Sequence, residues 1–471
     1  MSNNRRNFIK NIGGSMALLA VGNAASASSN TSSASSSASS SASILNSKIK
    51  VSANDKIRIG LIGSGIIGHF DASTALKVPG VELVAVCDLY KGRLEGAKET
   101  WGNHLFTTQD YRELLARKDV DAVLICTPDH WHQKISIDAM RAGKHVYCEK
   151  PMVQKIEQGW GVINAQKETG KVFQVGSQMA SSVGILEAKR LLAAGTIGDL
   201  TMVESFCDRS DARGAWNYSI PTDASAETID FDTFLGTAPK VPFEAKRFFR
   251  WRNYGAYGTG AAGDLIVHLL TGIHTVTGAV GPEKIMSIAD LKLWKDGRDS
   301  FDIINAVMNY KTTEKHNAFH VVTRVNLTDG EGKGPFGIKL IGTEGVIESF
   351  GNGLVVKTLK RRAVPGYGGY DSFDSFSNKQ KEDFKKWYAS EYGNDTEGGY
   401  DINKEAKFEA PNNYDDRLDH MIVFFNAIRT GSKIYEDASF GLRAAAPAIA
   451  CNLSAQQNKP ILWDPIGMKL V

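Results

Sequence analysis

Residues 56–68 of this 471-residue chain are KIRIGLIGSGIIG, an apolar run followed by three glycines in the spacing G-x-G-x-x-G. The first, Gly63, permits a tight turn, the second, Gly65, lets the backbone approach a pyrophosphate, and the third, Gly68, allows close helix packing. A strand before this turn and a helix after it predict the first unit of a dinucleotide-binding domain. The remaining residues of the turn, which we also expect at the cofactor, are Ser64, Ile66 and Ile67.

Asp88 follows the second predicted strand, twenty residues after Gly68. A carboxylate at this position accepts hydrogen bonds from a ribose hydroxyl and repels a 2′-phosphate, so it favours NAD over NADP. Lys91 and Arg93 lie just downstream and could pair with a phosphate, which leaves NADP as an alternative.

Short apolar runs alternate with helical stretches from residue 56 onward, which is typical of buried parallel strands separated by helices. The fold class predicted is α/β, with an N-terminal doubly wound parallel sheet of the Rossmann type. The predicted strands are 57–62, 81–86, 122–126, 145–148 and 171–175. The predicted helices are 66–77, 91–101, 110–117, 132–142 and 156–169.

Beyond residue 178 strand-like runs alternate with loops, which predicts an α/β domain with an open, mostly antiparallel sheet and helices on one face. The chain is longer than one hydrophobic core usually supports. We therefore divide it into a dinucleotide-binding domain at 55–178 and a substrate and oligomerisation domain at 179–471. Residues 361–415, polar and rich in Gly, Tyr, Lys and Asp, are interpreted as an insertion in the second domain.

The first 27 residues have the order of a signal peptide: a charged region, a weakly apolar region at 12–21, and small residues at 24–27. The paired Arg5 and Arg6, followed by Phe8, Ile9 and Lys10, resemble a twin-arginine signal, which exports proteins already folded. A general secretory signal is the alternative. The resemblance implies the Tat export machinery as a partner, a periplasmic location, and NAD that is tightly bound because it travels inside the folded protein. Residues 28–54, rich in Ser and Ala, are expected to be a flexible linker.

Charge and composition restrict the kind of partner. Arg5, Arg6 and Lys10 account for the net charge of +3, and the rest of the chain is balanced. We therefore expect no nucleic-acid partner and no membrane span, and a small-molecule substrate instead. No cysteine or histidine spacing typical of a metal site is visible.

Three segments resemble the glucose-fructose oxidoreductase, inositol dehydrogenase and rhizopine-catabolism (Gfo/Idh/MocA) family: TPDHWH at 127–132, AGKHV at 142–146 and EKP at 149–151. The resemblance implies that Lys150 reaches the nicotinamide and the substrate hydroxyl, with Glu149 positioning it. It also implies homo-oligomerisation. The residues expected to line the cofactor cleft are Thr127, Pro128, His132 and Glu149.

Asp264 and His268 are spaced i and i+4 in a predicted helix, so their side chains share one face. A carboxylate there can orient an imidazole, and the imidazole can accept a proton from a sugar hydroxyl. The spacing matches the family's catalytic pair, although a helix-capping Asp with a buried His remains an alternative. The residues considered for substrate binding are Arg252, Tyr254 and His274.

The leading hypothesis is an NAD(P)-dependent oxidoreductase that oxidises a secondary hydroxyl of a sugar, glycoside or polyol by hydride transfer. Lys150 would stabilise the alkoxide, His268 would accept the proton, and Asp264 would orient His268. An NAD-dependent glycosidase or lyase, which oxidises its sugar only transiently, is the first alternative. A non-catalytic carbohydrate-binding protein is the second.

Overall fold

The computed structural model describes residues 56–329, 336–362, 364–396 and 399–471. The predictions of a signal peptide at 1–27 and a linker at 28–54 lie outside these residues. Among the helices of the described residues, none is long and apolar enough to cross a membrane.

The first sheet has six parallel strands in the order β3-β2-β1-β4-β5-β6, which confirms the doubly wound fold. Its strands are β1 (Ile57–Ile62), β2 (Val81–Cys87), β3 (Phe106–Thr108), β4 (Ala122–Ile125), β5 (His145–Glu149) and β6 (Phe173–Gly176). Its helices are α1 (Ile66–Ala75), α2 (Lys91–Trp101), α3 (Tyr111–Ala116), α4 (Asp129–Arg141) and α5 (Gly159–Thr169).

The turn after β1 depends on its glycines. Gly63 has a φ of 94°, and a Cβ there would lie 2.6 Å from the carbonyl oxygen of Cys126. A Cβ on Gly68 would collide with the carbonyl oxygen of Gly63. The strand order changes direction at β1, which lies between β2 and β4. In sheets of this kind, ligands bind beside this point, at the carboxyl ends of the strands.

The second sheet has ten strands among the described residues, in the order β14-β13-β12-β11-β7-β10-β9-β8-β15-β16. Neighbouring strands are antiparallel except β7 and β10, which are parallel. This confirms the predicted mostly antiparallel sheet. The strands are β7 (Leu200–Asp208), β8 (Lys284–Asp290), β9 (Ile303–Tyr310), β10 (Phe319–Asn326), β11 (Phe336–Gly342), β12 (Gly345–Phe350), β13 (Gly353–Arg361), β14 (Tyr400–Phe408), β15 (Ile461–Asp464) and β16 (Lys469–Leu470).

The chain after β6 also forms seven α-helices among the described residues. They are α6 (Val183–Ala193), α7 (Phe231–Leu235), α8 (Ala245–Phe249), α9 (Val267–Thr277), α10 (Asn378–Tyr392), α11 (Asp416–Thr430) and α12 (Ala438–Gln457). Three of them, α6, α9 and α12, pack against the second sheet. The helix α11 buries Met421, Phe424 and Phe425 in the same core as Leu61 and Leu124 of the first sheet. The C-terminal part of the chain thus completes the hydrophobic core of the N-terminal domain.

Between β13 and β14 the chain forms α10 and a small aromatic cluster, in which Tyr367 packs against Phe373, Phe384 and Tyr388. The predicted insertion at 361–415 thus consists of an aromatic cluster around α10 and of β14, which belongs to the second sheet. It lies within the described residues except at 363 and 397–398.

Candidate active site

A cavity of about 410 Å³ lies at the carboxyl ends of the first sheet's strands. One wall comprises residues at or just after the ends of β1, β2, β4 and β5, and the other comes from the second domain. This is the position at which an open α/β sheet binds its ligand. The two domains therefore form the site together.

The glycine-rich turn and Asp88 form one end of the cavity. Gly63, Gly65, Ile66 and Ile67 line it directly, as does Asp88. By contrast, Gly68 packs against the turn. The side chain of Ser64 is buried beside the turn, and among the described residues its Oγ has no hydrogen-bond partner. A buried hydroxyl without a partner at this turn is suited to a phosphate oxygen.

The carboxylate of Asp88 is held by backbone amides, since its two oxygens accept hydrogen bonds from the amides of Ser64 (2.8 Å) and Tyr90 (2.9 Å). The guanidinium of Arg93 lies 3.4 Å from it and also packs over the ring of Phe249. Because the backbone fixes the carboxylate at the cavity wall, it can bind ribose hydroxyls. The glycine turn, the Ser64 hydroxyl and Asp88 together fit a dinucleotide.

Lys150, which follows β5, makes the central ion pair of the cavity. Its Nζ donates hydrogen bonds to Asp264 Oδ1 at 2.8 Å and to the Asp264 carbonyl oxygen at 3.0 Å. Arg252 Nε also donates to Asp264 Oδ1, at 3.1 Å. Burial alone would raise the pKa of Asp264, but these two cations hold it well below the ordinary value of 3.8. Asp264 is therefore a fixed anion between two cations.

The backbone around Asp264 explains this geometry. Residues Ala262–Ile266 form a π-helical turn that leads directly into α9. Such turns widen the helix locally and are frequent at functional sites. Asp264 thus presents both its carboxylate and its carbonyl oxygen to Lys150, a residue 114 positions earlier in the chain.

The structure differs from the predicted pairing of Asp264 with His268. The Asp264 carboxylate bonds to Lys150 and Arg252 because two full positive charges attract it more strongly than a neutral imidazole would. His268 lines the same cavity, and its ring meets the edge of Phe336. Burial, together with the charge of Lys150, lowers the pKa of His268 to about 3. The imidazole is therefore neutral near pH 7 in the protein without ligands.

Thr127 and Pro128 line the cavity as predicted for the cofactor cleft, but His132 does not. Its two ring nitrogens lie 2.8 Å from the Thr127 carbonyl oxygen and 2.7 Å from that of Pro151. Burial opposes a charge on this ring, but Cys148, Asp129 and the Pro151 carbonyl raise the pKa of His132 to about 10. His132 thus ties together the segments that follow β4 and β5, beneath the cavity wall.

Glu149 does reach the cavity. One carboxylate oxygen accepts a hydrogen bond from Gln178 Nε2 at 2.7 Å, and the other accepts one from the Lys150 amide at 3.2 Å. Burial raises the pKa of Glu149 above its ordinary value. The residue braces the backbone that presents Lys150.

Among the predicted substrate residues, Arg252 lies in the cavity wall, whereas Tyr254 and His274 do not. Tyr254 is buried in an aromatic core beneath the wall, with the guanidinium of Arg247 over its ring. His274 lies six residues after His268, so a helix turns it to a different face, where its Nε2 bonds to the Tyr310 hydroxyl at 3.0 Å. Both residues are structural.

Several cavity residues were not predicted. Arg209, Trp216 and Tyr218 lie in the loop after β7, and Arg417 lies at the start of α11. An arginine followed by two aromatics in the loop after the first strand of the second sheet was the available sequence signal. Arg417 gave no signal, because it comes from a helix that returns from the far end of the chain.

Two family models match the chain. The Gfo/Idh/MocA oxidoreductase family model, described as an NAD-binding Rossmann fold, matches residues 57–177. The model of the same family's C-terminal alpha/beta domain matches residues 189–462.

Curated relatives are similar over part of their length. An inositol 2-dehydrogenase of Salmonella typhimurium is 33% identical over 149 residues, which are 31% of this chain and 44% of the relative. A glycosyl hydrolase family 109 protein of Shewanella baltica is 30% identical over 204 residues, which are 42% of this chain and 44% of the relative. The similarity thus spans less than half the length of each relative.

Solved structures share the fold at lower identity. A levoglucosan dehydrogenase in complex with NADH and levoglucosan has a TM-score of 0.61 at 17% identity, covering 86% of this chain and 99% of that one. An aldose-aldose oxidoreductase from Caulobacter crescentus has a TM-score of 0.59 at 16% identity, with the same coverage. The matches of both family models, across nearly all of the described residues, show that this chain belongs to the Gfo/Idh/MocA family of oxidoreductases, with an NAD-binding Rossmann domain at its N-terminal end.

Proposed function

We propose that this protein is an NAD-dependent dehydrogenase that oxidises a secondary hydroxyl of a sugar, glycoside or polyol. The observation that supports this most directly is the Lys150 ammonium, held by Asp264 on the wall of the dinucleotide cavity with the neutral His268 on the same wall. NAD, when bound, supplies the acceptor for the hydride. The residues of the chain supply binding, orientation and proton transfer.

Lys150 is oriented to meet a substrate oxygen. An ammonium has three N–H donors, and two of them bond to the carboxylate and carbonyl oxygens of Asp264. The third is available to a hydroxyl oxygen in the cavity, where it stabilises the negative charge that develops as the O–H proton leaves and before the hydride does. Asp264 fixes the direction of that third donor.

His268 is the base in this proposal. Its ring is neutral because burial and the nearby cations lower its pKa to about 3. A neutral imidazole accepts the hydroxyl proton while Lys150 stabilises the oxygen that loses it. The oxidation thus uses an ammonium, a neutral imidazole and an anion that positions the ammonium.

The test is anaerobic mixing of the purified protein, saturated with NAD, with a panel of sugars, glycosides and polyols. We expect absorbance of reduced nicotinamide near 340 nm with at least one of them, and its loss in Lys150→Met. A panel that gives no reduction in any member would refute the proposal.

A second candidate is an NAD-dependent glycosidase, and the specific observation that favours it is the similarity to glycosyl hydrolase family 109 proteins. Oxidation of a hydroxyl to a carbonyl acidifies the neighbouring C–H, loss of that proton expels the aglycone, water adds, and the carbonyl is reduced again. No net redox change results. Release of aglycone from aryl glycosides, with NAD returned to its oxidised form, would select this candidate over the dehydrogenase.

We further propose export to the periplasm by the Tat machinery with NAD retained inside the fold. The support is the pair Arg5 and Arg6 before an apolar stretch, followed by small residues. Cell fractionation of the native chain and of its Arg5→Lys, Arg6→Lys variant tests the location. Release of nucleotide from denatured protein tests retention, which we expect at near-equimolar NAD.

Homo-oligomerisation is also part of the proposal. The face of the second sheet without helices exposes apolar side chains at alternate positions, and these are Met286, Ile288, Val307 and Val322. Contiguous exposed apolar groups of this kind are typical of protein interfaces. Light scattering after size exclusion measures the mass directly, and a monomer at micromolar concentration would contradict this part.

A further inference from the structure

The second-domain wall of the cavity combines aromatic rings with guanidinium groups. Trp216, Tyr218 and Trp251 line it together with Arg209 and Arg252. Aromatic faces beside hydrogen-bond donors suit a sugar ring, whose C–H groups pack on the rings while its polar groups face the donors. Arg252 shares the Asp264 carboxylate with Lys150, so this wall belongs to the substrate end.

The loop that supplies this wall is fixed from behind. Arg298 Nη2 donates to the Ala215 carbonyl oxygen at 2.9 Å, and Arg250 Nε donates to that of Tyr218 at 2.8 Å. Between them, Trp216 has a φ of 61° and an almost fully buried side chain. A tryptophan in the left-handed region persists only where its surroundings hold it, and such residues cluster at ligand sites. Hydrogen bonds and packing therefore hold the wall in a fixed shape.

The charges at this end do not balance. Lys150 and Arg252 share one carboxylate, that of Asp264. Within the described part of the chain, no carboxylate lies in ion-pair distance of Arg209, and its Nε is buried without a hydrogen-bond partner. The nearby Asp211 is exposed, accepts a hydrogen bond from the Gly214 amide at 2.9 Å and lies 3.9 Å from Arg213, beyond ion-pair distance of Arg209.

The other acidic groups of the cavity do not restore the balance. Both oxygens of Glu149 are occupied by Gln178 and the Lys150 amide. Asp88 is held at the opposite end, beside the glycine turn. The substrate end thus has more guanidinium charge than its own carboxylates pair with: among the described residues, neither Arg209 nor Arg417 has a carboxylate within ion-pair distance. An anionic group on the ligand would complete it.

We propose that the substrate is a sugar unit bearing an acidic group, a carboxylate as in a uronide or a sulfate ester, which pairs with Arg209 while the ring packs against Tyr218 and Trp251. A guanidinium binds such oxoanions through two parallel N–H donors, which fixes the orientation of the ring as well as its charge. This inference rests on the proposed function, since it assigns the substrate of the same site.

The test measures binding to the NAD-saturated protein by calorimetry. The probes are methyl glucuronide and methyl galacturonide, the corresponding neutral methyl glycosides, and their 6-sulfates. We expect an acidic probe to bind at least about tenfold more tightly than its neutral counterpart. Preference for the uronide or for the sulfate identifies which acid is recognised. Equal or tighter binding of the neutral glycosides would overturn the proposal.

Arg209→Met tests the residue, and Arg213→Met is the matched control. Arg213 lies in the same loop, but its side chain is 91% exposed. We expect Arg209→Met to reduce the acidic preference to within about threefold, Arg209→Lys to keep part of it, and Arg213→Met to keep all of it. An unchanged preference in a folded, NAD-binding Arg209→Met protein would refute the assignment.

The two proposals fail separately. Tight binding of an acidic probe without nicotinamide reduction by any sugar would refute the proposed oxidation and support the acidic ligand. Oxidation of neutral glycosides alone, with no binding of acidic probes, would support the proposed oxidation and refute the acidic ligand.

Discussion

Replacing Asp264 by asparagine removes the anion that Lys150 and Arg252 share and leaves the shape of the side chain nearly unchanged. At 2.8 and 3.1 Å, with an effective dielectric constant of about 20, the two attractions are about 6 and about 5 kcal/mol in gross terms. Desolvation of the three charges and repulsion between the cations offset most of this. Removal of one member of a buried ion pair costs about 3 kcal/mol net, at the lower end of the usual range.

The assay is urea unfolding at one fixed NAD concentration, with the contribution of NAD subtracted from the dissociation constant measured for each protein. We expect Asp264→Asn to lower the free energy of unfolding by about 3 kcal/mol and kcat/KM by about a hundredfold, because Lys150 loses the group that orients it. Asp211→Asn is the control. That residue forms a long, exposed pair with Arg213, which should contribute less than about 0.5 kcal/mol.

The pH dependence of this difference has a definite sign. The folded-state pKa of Asp264 is depressed below 3.8, so its stabilisation is present above that pH and is lost as the pH falls toward the folded-state pKa. The gap between the native protein and Asp264→Asn should be constant from about pH 5 to 8 and narrow below about pH 4. A gap below about 1 kcal/mol at pH 7, with the control behaving as expected, would refute the reasoning.

Three further results are expected. His268→Gln should lower kcat by about a hundredfold or more, while substrate affinity, measured by calorimetry, changes little. Because the pKa of His268 is lowered to about 3, titration of this group should cause no loss of kcat/KM in the native protein between pH 5 and 7. Asp88→Asn should weaken NAD binding by about tenfold and narrow the discrimination against NADP, measured by fluorescence titration, since it removes the charge that repels a 2′-phosphate. His274→Gln should lower the thermal midpoint but leave substrate affinity unchanged, because its ring bonds to Tyr310 away from the cavity; altered affinity would restore this residue to the substrate site.

Local patterns were enough to predict the N-terminal domain. The apolar run of β1, the glycine turn and Asp88 lie within one continuous segment, and the turn has strict backbone requirements that the sequence expresses directly. The strand β3 escaped prediction because it has three residues, of which only Thr108 is buried. Without an apolar run, a short edge strand has little signal.

The site was only partly predictable, because its decisive contacts join distant segments. The spacing of Asp264 and His268 indicated one helical face, but not that Lys150 and Arg252 would occupy the carboxylate. His274 and Tyr254 have suitable chemistry, and only packing shows that they point elsewhere. The sequence identifies side chains that are chemically able to act in the site, but it does not show which of them point into the cavity.

The packing of α11 against the first sheet has a consequence for the order of synthesis. The last strand of that sheet ends at Gly176, whereas α11 begins at Asp416. At ordinary translation speeds the sheet waits on the order of tens of seconds for the helix that covers its apolar face. The N-terminal domain therefore completes its core only after residues 416–430 have been synthesised. Until then, the newly made sheet depends on chaperones or transient contacts to keep its apolar face from aggregating.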